Sequence, residues 1–229
     1  MDKIENLEIK EYLINFVIEK TQQCQIFAKV FGKDFARDRL KTNLKTVYTN
    51  EYSRKKAGYH STNEHTISIC TSDKQEPQLT VKLLEKNKQK VTTMLHEAIH
   101  AILTKSEEEC KKIGVKHATG ILEYYEKKED DEQIPELGRG ANEGLTNWIC
   151  ELLGYKTSSY QYETTFIKQL ELVMGQTRIL KMGKGNICKN VSKQLHMSQK
   201  QTINVKEKDD NNQLKNKAIK IAKTRIRQS

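Results

Sequence analysis

The chain has 229 residues, with 40 Lys and Arg residues against 30 Asp and Glu residues and only two prolines. This length suits one sizeable core with a small appendage, and the composition excludes collagen-like and proline-rich low-complexity proteins. The net charge of +10 belongs to the C-terminal end, because residues 181–229 hold thirteen basic and three acidic residues. Residues 1–180 hold 27 residues of each sign, so the charge does not indicate a nucleic-acid partner for the body of the chain.

Neither the N-terminus nor the cysteines favour export. Asp2 and Glu5 stand where a secretory signal needs basic residues, and no apolar run is long enough to span a bilayer. The five cysteines are an odd number without a Cys-x-x-Cys pair, which favours reduced thiols over a disulfide framework. We therefore expect a cytoplasmic protein without a membrane span.

Apolar periodicity predicts a mainly helical chain that contains at least one strand. In chain order the predicted elements are helices at 3–20 and Ile26–Val47, a half-buried strand at His65–Cys70, and helices at 79–104, Ala141–Leu153 and Thr164–Met174. Gly154 and Gly175 follow the last two helices, as is typical of helix ends.

The run His96-Glu97-Ala98-Ile99-His100 lies within the predicted helix 79–104. Histidines four residues apart project from one helical face, so both imidazoles can reach one divalent metal ion. Glu97 lies beside them, within reach of a water on that metal. Because catalytic zinc needs neutral nitrogen ligands, an open position and a nearby base, this pattern predicts a zinc site rather than a pair of ordinary core histidines.

A third protein ligand is needed, and the sequence leaves two candidates. A metzincin would place a histidine at position 106, where this chain has Ser106. His117 stays open, although it lies in a polar turn. Glu143 is the stronger candidate, because it begins a helix and lies on a polar strip together with Thr146 and Asn147. The opposite face of that helix is apolar, so it can be buried while it delivers a carboxylate to a metal.

His96-Glu97-x-x-His100 followed by Asn142-Glu143-x-x-x-Asn147 resembles the gluzincin zinc metallopeptidases, a superfamily that includes the thermolysin-like and anthrax lethal factor-like enzymes. The resemblance spans residues 58–175 and rests on these two motifs and on their order after a strand. It implies Zn²⁺ held by His96, His100 and Glu143, with Glu97 as general base and proton shuttle. It also implies that Asn147, where many gluzincins have Asp, accepts a hydrogen bond from a zinc-binding histidine.

The resemblance further implies an α+β fold, with a zincin-like domain whose small mixed sheet packs on the helix that carries His96. We expect an N-terminal helical segment at 1–50, the zincin-like catalytic core at 51–180 and a basic extension at 181–229. In such enzymes the strand before the histidine helix borders the cleft, so His65–Cys70 is the candidate to pair with an extended substrate.

A second group that stabilises the oxyanion is usual in this superfamily, and a tyrosine or a histidine often supplies it. Tyr160 and Tyr162 follow the Glu143 helix and are the two candidates that we favour. Tyr155 lies in the same stretch, and Tyr59 and His60 could also line the cleft.

These expectations describe a zinc metalloendopeptidase, a hydrolase that acts on protein or peptide substrates. The alternative is a non-catalytic zinc-binding module that serves as a regulatory scaffold, with the basic extension contacting a partner. Glu97 favours the enzyme, since a scaffold does not need the base. Lysines and arginines alternate with isoleucines over 214–226, which leaves contact with nucleic acid or an acidic surface open, although a solvated extension is the more usual outcome.

Overall fold

The computed structural model describes residues 4–53, 56–71, 78–124 and 136–184. Within these residues the chain is α+β, as predicted, with helices arranged around one four-stranded and one three-stranded sheet. Residues 185–229, which hold most of the predicted basic extension and the stretch 214–226, lie outside the described residues.

The elements within the described residues are numbered in chain order. The helices are α1 (Leu7–Gln23), α2 (Gln25–Phe31), α3 (Phe35–Asn43), α4 (Val81–Lys86), α5 (Lys88–Leu103), α6 (Glu107–Ile113), α7 (Arg139–Leu152), α8 (Gln161–Met174) and α9 (Gln176–Gly183). The strands are β1 (Ile4–Glu5), β2 (Thr46–Tyr52), β3 (Gly58–Ser61), β4 (Thr66–Thr71), β5 (His117–Thr119), β6 (Leu122–Tyr124) and β7 (Glu136–Leu137).

The single helix expected over Ile26–Val47 is wrong, because that stretch forms α2, α3 and the start of β2. Gly32 ends α2 with a φ of 97°, a conformation that glycine adopts without steric cost. Leu44 then leaves α3 with an extended backbone, and the N–H of Lys45 donates to the carbonyl of His65. Pairing with a distant strand therefore outweighs the local preference for helix in this region.

The four-stranded sheet has the order β1-β2-β4-β3. Its two central strands run parallel, with Val47 opposite Ile67, and the outer strands β1 and β3 pair antiparallel to them. The strand predicted at His65–Cys70 is confirmed as β4, but all six of its residues are buried instead of alternating. The segment boundary expected at residue 50 falls inside β2, so the N-terminal segment contributes a central strand to the sheet.

Helix α5 lies at the centre of the molecule. Every residue from Met94 to Leu103 is buried, and the apolar ones belong to the same core as Ile67 and Ile69 of β4. A helix that is buried around its whole circumference has to be held by neighbours on all sides. Here α3, α7 and strands β3 and β4 pack against it.

Side chains of α3 secure the C-terminal end of α5, where a helix leaves carbonyls without partners. Nδ2 of Asn43 donates to the carbonyls of Ala101 and Thr104, at 2.9 Å each. Arg39 also donates to the carbonyl of Thr104, and it binds both carboxylate oxygens of Glu109 in α6 at 2.7 and 2.6 Å. Hydrogen bonding to Arg39 lowers the pKa of Glu109 to about 2.

We predict that Asn43→Ala lowers the free energy of unfolding by about 1–3 kcal/mol, because two buried carbonyls each lose the hydrogen bond from Asn43. Urea unfolding in the presence of a chelator measures this without a contribution from bound metal. Thr42→Ala is the matched control, since Thr42 is exposed on the same helix and its loss should cost at most about 0.5 kcal/mol. Equal effects of the two changes would contradict the anchoring role of Asn43.

Candidate metal centre

His96 and His100 lie one turn apart on α5, and their rings meet edge to face with centroids 4.7 Å apart. Both side chains are less than one-tenth exposed. Helix α7 crosses α5 at this level and brings Glu143 to the two imidazoles. Of the described residues, these three are the group whose ligand atoms all lie within 4.8 Å of one another.

The ligand atoms form a small triangle. Nε2 of His96 lies 3.0 Å from Oε2 of Glu143 and 3.1 Å from Nε2 of His100, and the third side measures 3.3 Å. Tetrahedral zinc with bonds near 2.0–2.1 Å separates neighbouring ligand atoms by about 3.3 Å. The triangle therefore has the size and the two-nitrogen, one-oxygen composition that suit a zinc ion, so these residues fit the predicted metal.

Helix α7 reaches this position because its N-terminal half has little side-chain bulk. A Cβ built on Gly144 would overlap the backbone of Glu163 in α8, so glycine lets the two helices touch. Gly138 starts the helix with a φ of 93°. The apolar residues Leu145, Trp148 and Ile149 are buried, and the side chain of Glu143 is 15% exposed. The carboxylate is thus turned inward, at the edge of the core.

Asn147 occupies the position that the resemblance implies. Its Oδ1 lies 2.7 Å from Nδ1 of His96, and its Nδ2 donates to the carbonyl of Ser159 at 2.7 Å. The amide oxygen accepts the Nδ1 proton, which leaves Nε2 of His96 with a lone pair for a metal. The amide nitrogen ties the same contact to the start of α8.

The partners of His100 were not predictable from the motif that contains it. Nδ1 of His100 lies 3.2 Å from Nδ2 of Asn142 and 3.4 Å from Oγ1 of Thr146. The direction of each contact depends on which ring nitrogen carries the proton: Asn142 can donate to an unprotonated Nδ1, whereas the Thr146 hydroxyl can accept from a protonated one. The second arrangement leaves the lone pair of Nε2 for a metal ion. The position of Thr146 on the polar strip of α7 indicates that it faces the ligands, whereas no local pattern indicates that Asn142 contacts His100.

The three ligands form a charged cluster in a buried place. Burial opposes ionisation of Glu143, but hydrogen bonds from His100 and His96 lower its pKa below the usual range. Burial likewise opposes protonation of His96, yet hydrogen bonds to Cys150 and Glu143 raise the pKa of that imidazole well above its ordinary value. The cluster stabilises a positive charge, and a metal ion would compete with the proton for it.

Glu97 lies on the same turn and is 8% exposed. Burial raises the pKa of Glu97, Glu143 raises it further, and the two histidines oppose the shift. The backbone N–H of His60 in β3 donates to this carboxylate. A Cβ on Gly58 would overlap Cγ2 of Thr93 in α5 at 2.8 Å and the carbonyl of Ser68 at 2.9 Å, so glycine allows β3 to pack closely on the helix that carries Glu97. A carboxylate with a raised pKa is suited to accept and return a proton near neutral pH.

Of the two favoured tyrosines, Tyr160 lies against the ligands. Its ring is nearly parallel to that of His96, with centroids 6.2 Å apart and a 12° angle between the planes. Tyr160 caps α8 in the left-handed conformation at φ 50°, which costs a non-glycine residue about 1–2 kcal/mol. Tyr162 faces solvent with 84% of its surface exposed. The strained backbone thus turns Tyr160, and not Tyr162, toward the cluster.

The role expected for His65–Cys70 in substrate pairing is wrong. That strand is β4, and both of its edges are taken by β2 and β3, so it cannot accept a further strand. Among the strands that the structure describes, β3 ends the sheet on the side of Glu97, which places His60 next to the centre. Burial and the nearby His100 lower the pKa of His60 to about 3, so this imidazole is neutral. The side chain of Tyr59 donates to Glu51 at 2.8 Å.

Comparison of the chain with protein-family models, with curated proteins and with solved structures gave no match. None of the helices in the described ranges is long and apolar enough to cross a membrane. The four cysteines within those ranges, Cys24, Cys70, Cys110 and Cys150, are free thiols.

We predict that Glu143→Ala lowers zinc affinity by at least about 100-fold, because it removes one of three protein ligands. His117→Ala should leave affinity within about twofold, since His117 in β5 is not part of the ligand triangle. Zinc content after dialysis and competition with a chromophoric chelator measure both. Tight binding that survives the first change but not the second would transfer the ligand role to His117.

Proposed function

We propose that the chain is a zinc-dependent metallopeptidase of the gluzincin type, with a zincin-like catalytic domain. The observation that carries this proposal is the convergence of two imidazole nitrogens and one carboxylate oxygen within 3.0–3.3 Å of one another. A separate buried carboxylate, Glu97, lies on the same helical turn. Three ligands and a free base are the complement of groups that metal-assisted hydrolysis needs.

The ligands and the base have different tasks. His96, His100 and Glu143 hold the ion, which when bound supplies Lewis acidity to a water and to the scissile carbonyl. Glu97 takes the proton of the attacking water and returns it to the leaving amine. The N–H of His60 holds the Glu97 carboxylate in place beside β3. Asn147 fixes the ring of His96 and so keeps its Nε2 in a constant position relative to the base.

Tyr160 is the residue that we propose for stabilising the oxyanion. Its ring lies over His96, and 46% of the residue is exposed, so the phenol borders both the ligands and solvent. Burial, together with Glu143 and Glu97, raises the pKa of Tyr160. The hydroxyl therefore keeps its proton and can donate it in a hydrogen bond to a negatively charged oxygen.

The substrate that fits this arrangement is an extended peptide. Strand β3 is the end strand of the four-stranded sheet, and it passes directly beside Glu97. A peptide added along that edge would present its carbonyls to the base and the ion in sequence. This proposal moves substrate pairing from β4 to β3. The four free thiols suit a reducing compartment, which supports action in the cytoplasm.

A zinc-binding scaffold without catalysis is the alternative. It accounts for the ligand triangle and for Asn147, but it assigns no task to a buried Glu97 whose carboxylate faces the same cluster. Burying a carboxylate costs free energy, and a scaffold would gain nothing from it. The geometry of Glu97 therefore favours the enzyme.

We predict that Glu97→Gln abolishes hydrolysis of a peptide library, with a rate at least about 100-fold lower, while zinc affinity changes little. The amide keeps the size of the side chain and removes the base. Glu108→Gln, at an exposed position on α6, is the control that should retain full activity. Hydrolysis that persists in Glu97→Gln would refute the mechanism, whereas a zinc-loaded native chain that cleaves no peptide would favour the scaffold.

We predict that Tyr160→Phe lowers kcat about 100-fold with little change in KM or zinc affinity, because the donor acts only when the oxyanion forms. Tyr162→Phe should leave kcat within about twofold, since that side chain faces solvent. Steady-state kinetics on one cleaved peptide compares the two. If both substitutions changed kcat by the same small factor, Tyr160 would have a packing role and would not stabilise the oxyanion.

A further inference from the structure

The turn between β5 and β6 lies between the two helices that carry the ligands. Oγ1 of Thr119 donates to the carbonyl of His100 at 2.8 Å, and Oγ1 of Thr104 donates to the same carbonyl at 2.9 Å. The N–H of Gly120 donates to the carbonyl of Leu103 at 3.0 Å. This side of the turn is thus bonded to the last turn of α5, at the backbone of a ligand residue.

The other side of the turn is bonded to α7. The N–H of Ile121 donates to Oδ1 of Asn142 at 3.2 Å. A Cβ built on Gly138 would overlap the carbonyl of Ile121, so the start of α7 also touches the turn. The turn therefore fixes α5 and α7 relative to each other at the level of the metal centre.

Gly120 is the point of closest approach. Its φ is +55°, and a Cβ at this position would overlap Oδ1 of Asn142. Asn142 is fully buried, so its side chain has no free space into which to move. The other end of the same amide, Nδ2, lies 3.2 Å from Nδ1 of His100. A side chain added at Gly120 would therefore displace the Asn142 amide, and that displacement would reach the ring of His100.

We propose that Gly120 is a positioning residue for the metal centre: its missing side chain makes room for the Asn142 amide, which packs against the ring of His100. The role is separate from that of the threonines. Thr104 and Thr119 hold the backbone of His100, whereas the Gly120–Asn142 contact fixes the position of its ring. This proposal rests on the metal centre of the proposed function and not on peptide hydrolysis.

The test is zinc affinity, measured by competition with a chromophoric chelator. Gly120→Ala should bind zinc about 10- to 100-fold more weakly, the range seen when outer partners of metal ligands are disturbed. Gly114→Ala is the matched control, because Gly114 also has a positive φ, of +73°, but no atom lies within 4 Å of its Cβ position. Both variants carry backbone strain, so both should lose thermal stability without metal, and only Gly120→Ala should lose affinity.

A double variant separates the contact from the backbone. If Gly120 acts through Asn142, then Gly120→Ala combined with Asn142→Ala should bind zinc no more weakly than Asn142→Ala alone. Should Gly120→Ala fail to fold, the double variant should fold and bind like Asn142→Ala, because the overlap is gone. The proposal would be overturned if the two substitutions weakened zinc binding independently, so that their fold-changes multiplied. It would also be overturned if the double variant did not fold, or if Gly120→Ala bound zinc as tightly as Gly114→Ala.

The same measurement keeps the two proposals apart. A native chain that binds no zinc overturns both of them. A chain that binds zinc tightly but cleaves no peptide contradicts the peptidase alone, and the affinity of Gly120→Ala then still decides the role of Gly120.

Discussion

The structure depends on one crossing, that of α5 and α7, which has to bring a carboxylate of one helix within about 3 Å of two imidazoles of the other. Such a contact is lost if either helix slides along its axis, and the surrounding elements prevent this movement. Asn43 and Arg39 hold the end of α5, and Gly144 lets α8 press against α7. Helices α3 and α8 thus help to hold the three ligand atoms in place.

The crossing also explains the electrostatics of the centre. A buried, ionised Glu143 needs a neighbouring positive charge, and in the metal-free chain the raised pKa of His96 favours a proton there that supplies it. The same requirement favours a divalent cation of suitable size. Net charge does not register this, because the body of the chain is neutral and the excess of +10 lies in residues 181–229. The groups that suit a metal ion therefore lie in the neutral body of the chain, and the net charge does not indicate them.

The parts of the site that sequence could predict are those with a helical period. His96 and His100 are one turn apart, and Glu143 and Asn147 are also one turn apart, so each pair has to share a face wherever its helix lies. The contacts that sequence could not predict join residues far apart in the chain. Asn142 reaches His100, and His60 reaches Glu97, only because of how α7 and β3 pack on α5. The α+β class was predictable through the resemblance that these two motifs carry, and the order of the strands was not.

The errors have physical causes of the same kind. The stretch Ile26–Val47 has a helical pattern, but its last residues gain more by pairing with β4 than by extending α3. The strand expected to receive substrate became an interior strand because β3, a short segment that begins with Gly58, covers its edge. Tyr160 lies against His96 whereas Tyr162 faces solvent, and the left-handed backbone of Tyr160 was not predictable from the local sequence.

The long separation in sequence between the two ligand helices affects the order in which the molecule is made. Synthesis from the N-terminus delivers the sheet and α5 to the solvent before α7 has left the ribosome, so the histidines appear as an incomplete pair. Two imidazoles alone hold a metal more weakly than three ligands do. On the proposed function, capture of the metal would follow the release of α7 from the ribosome, because a shorter chain lacks Glu143, one of the three ligand residues.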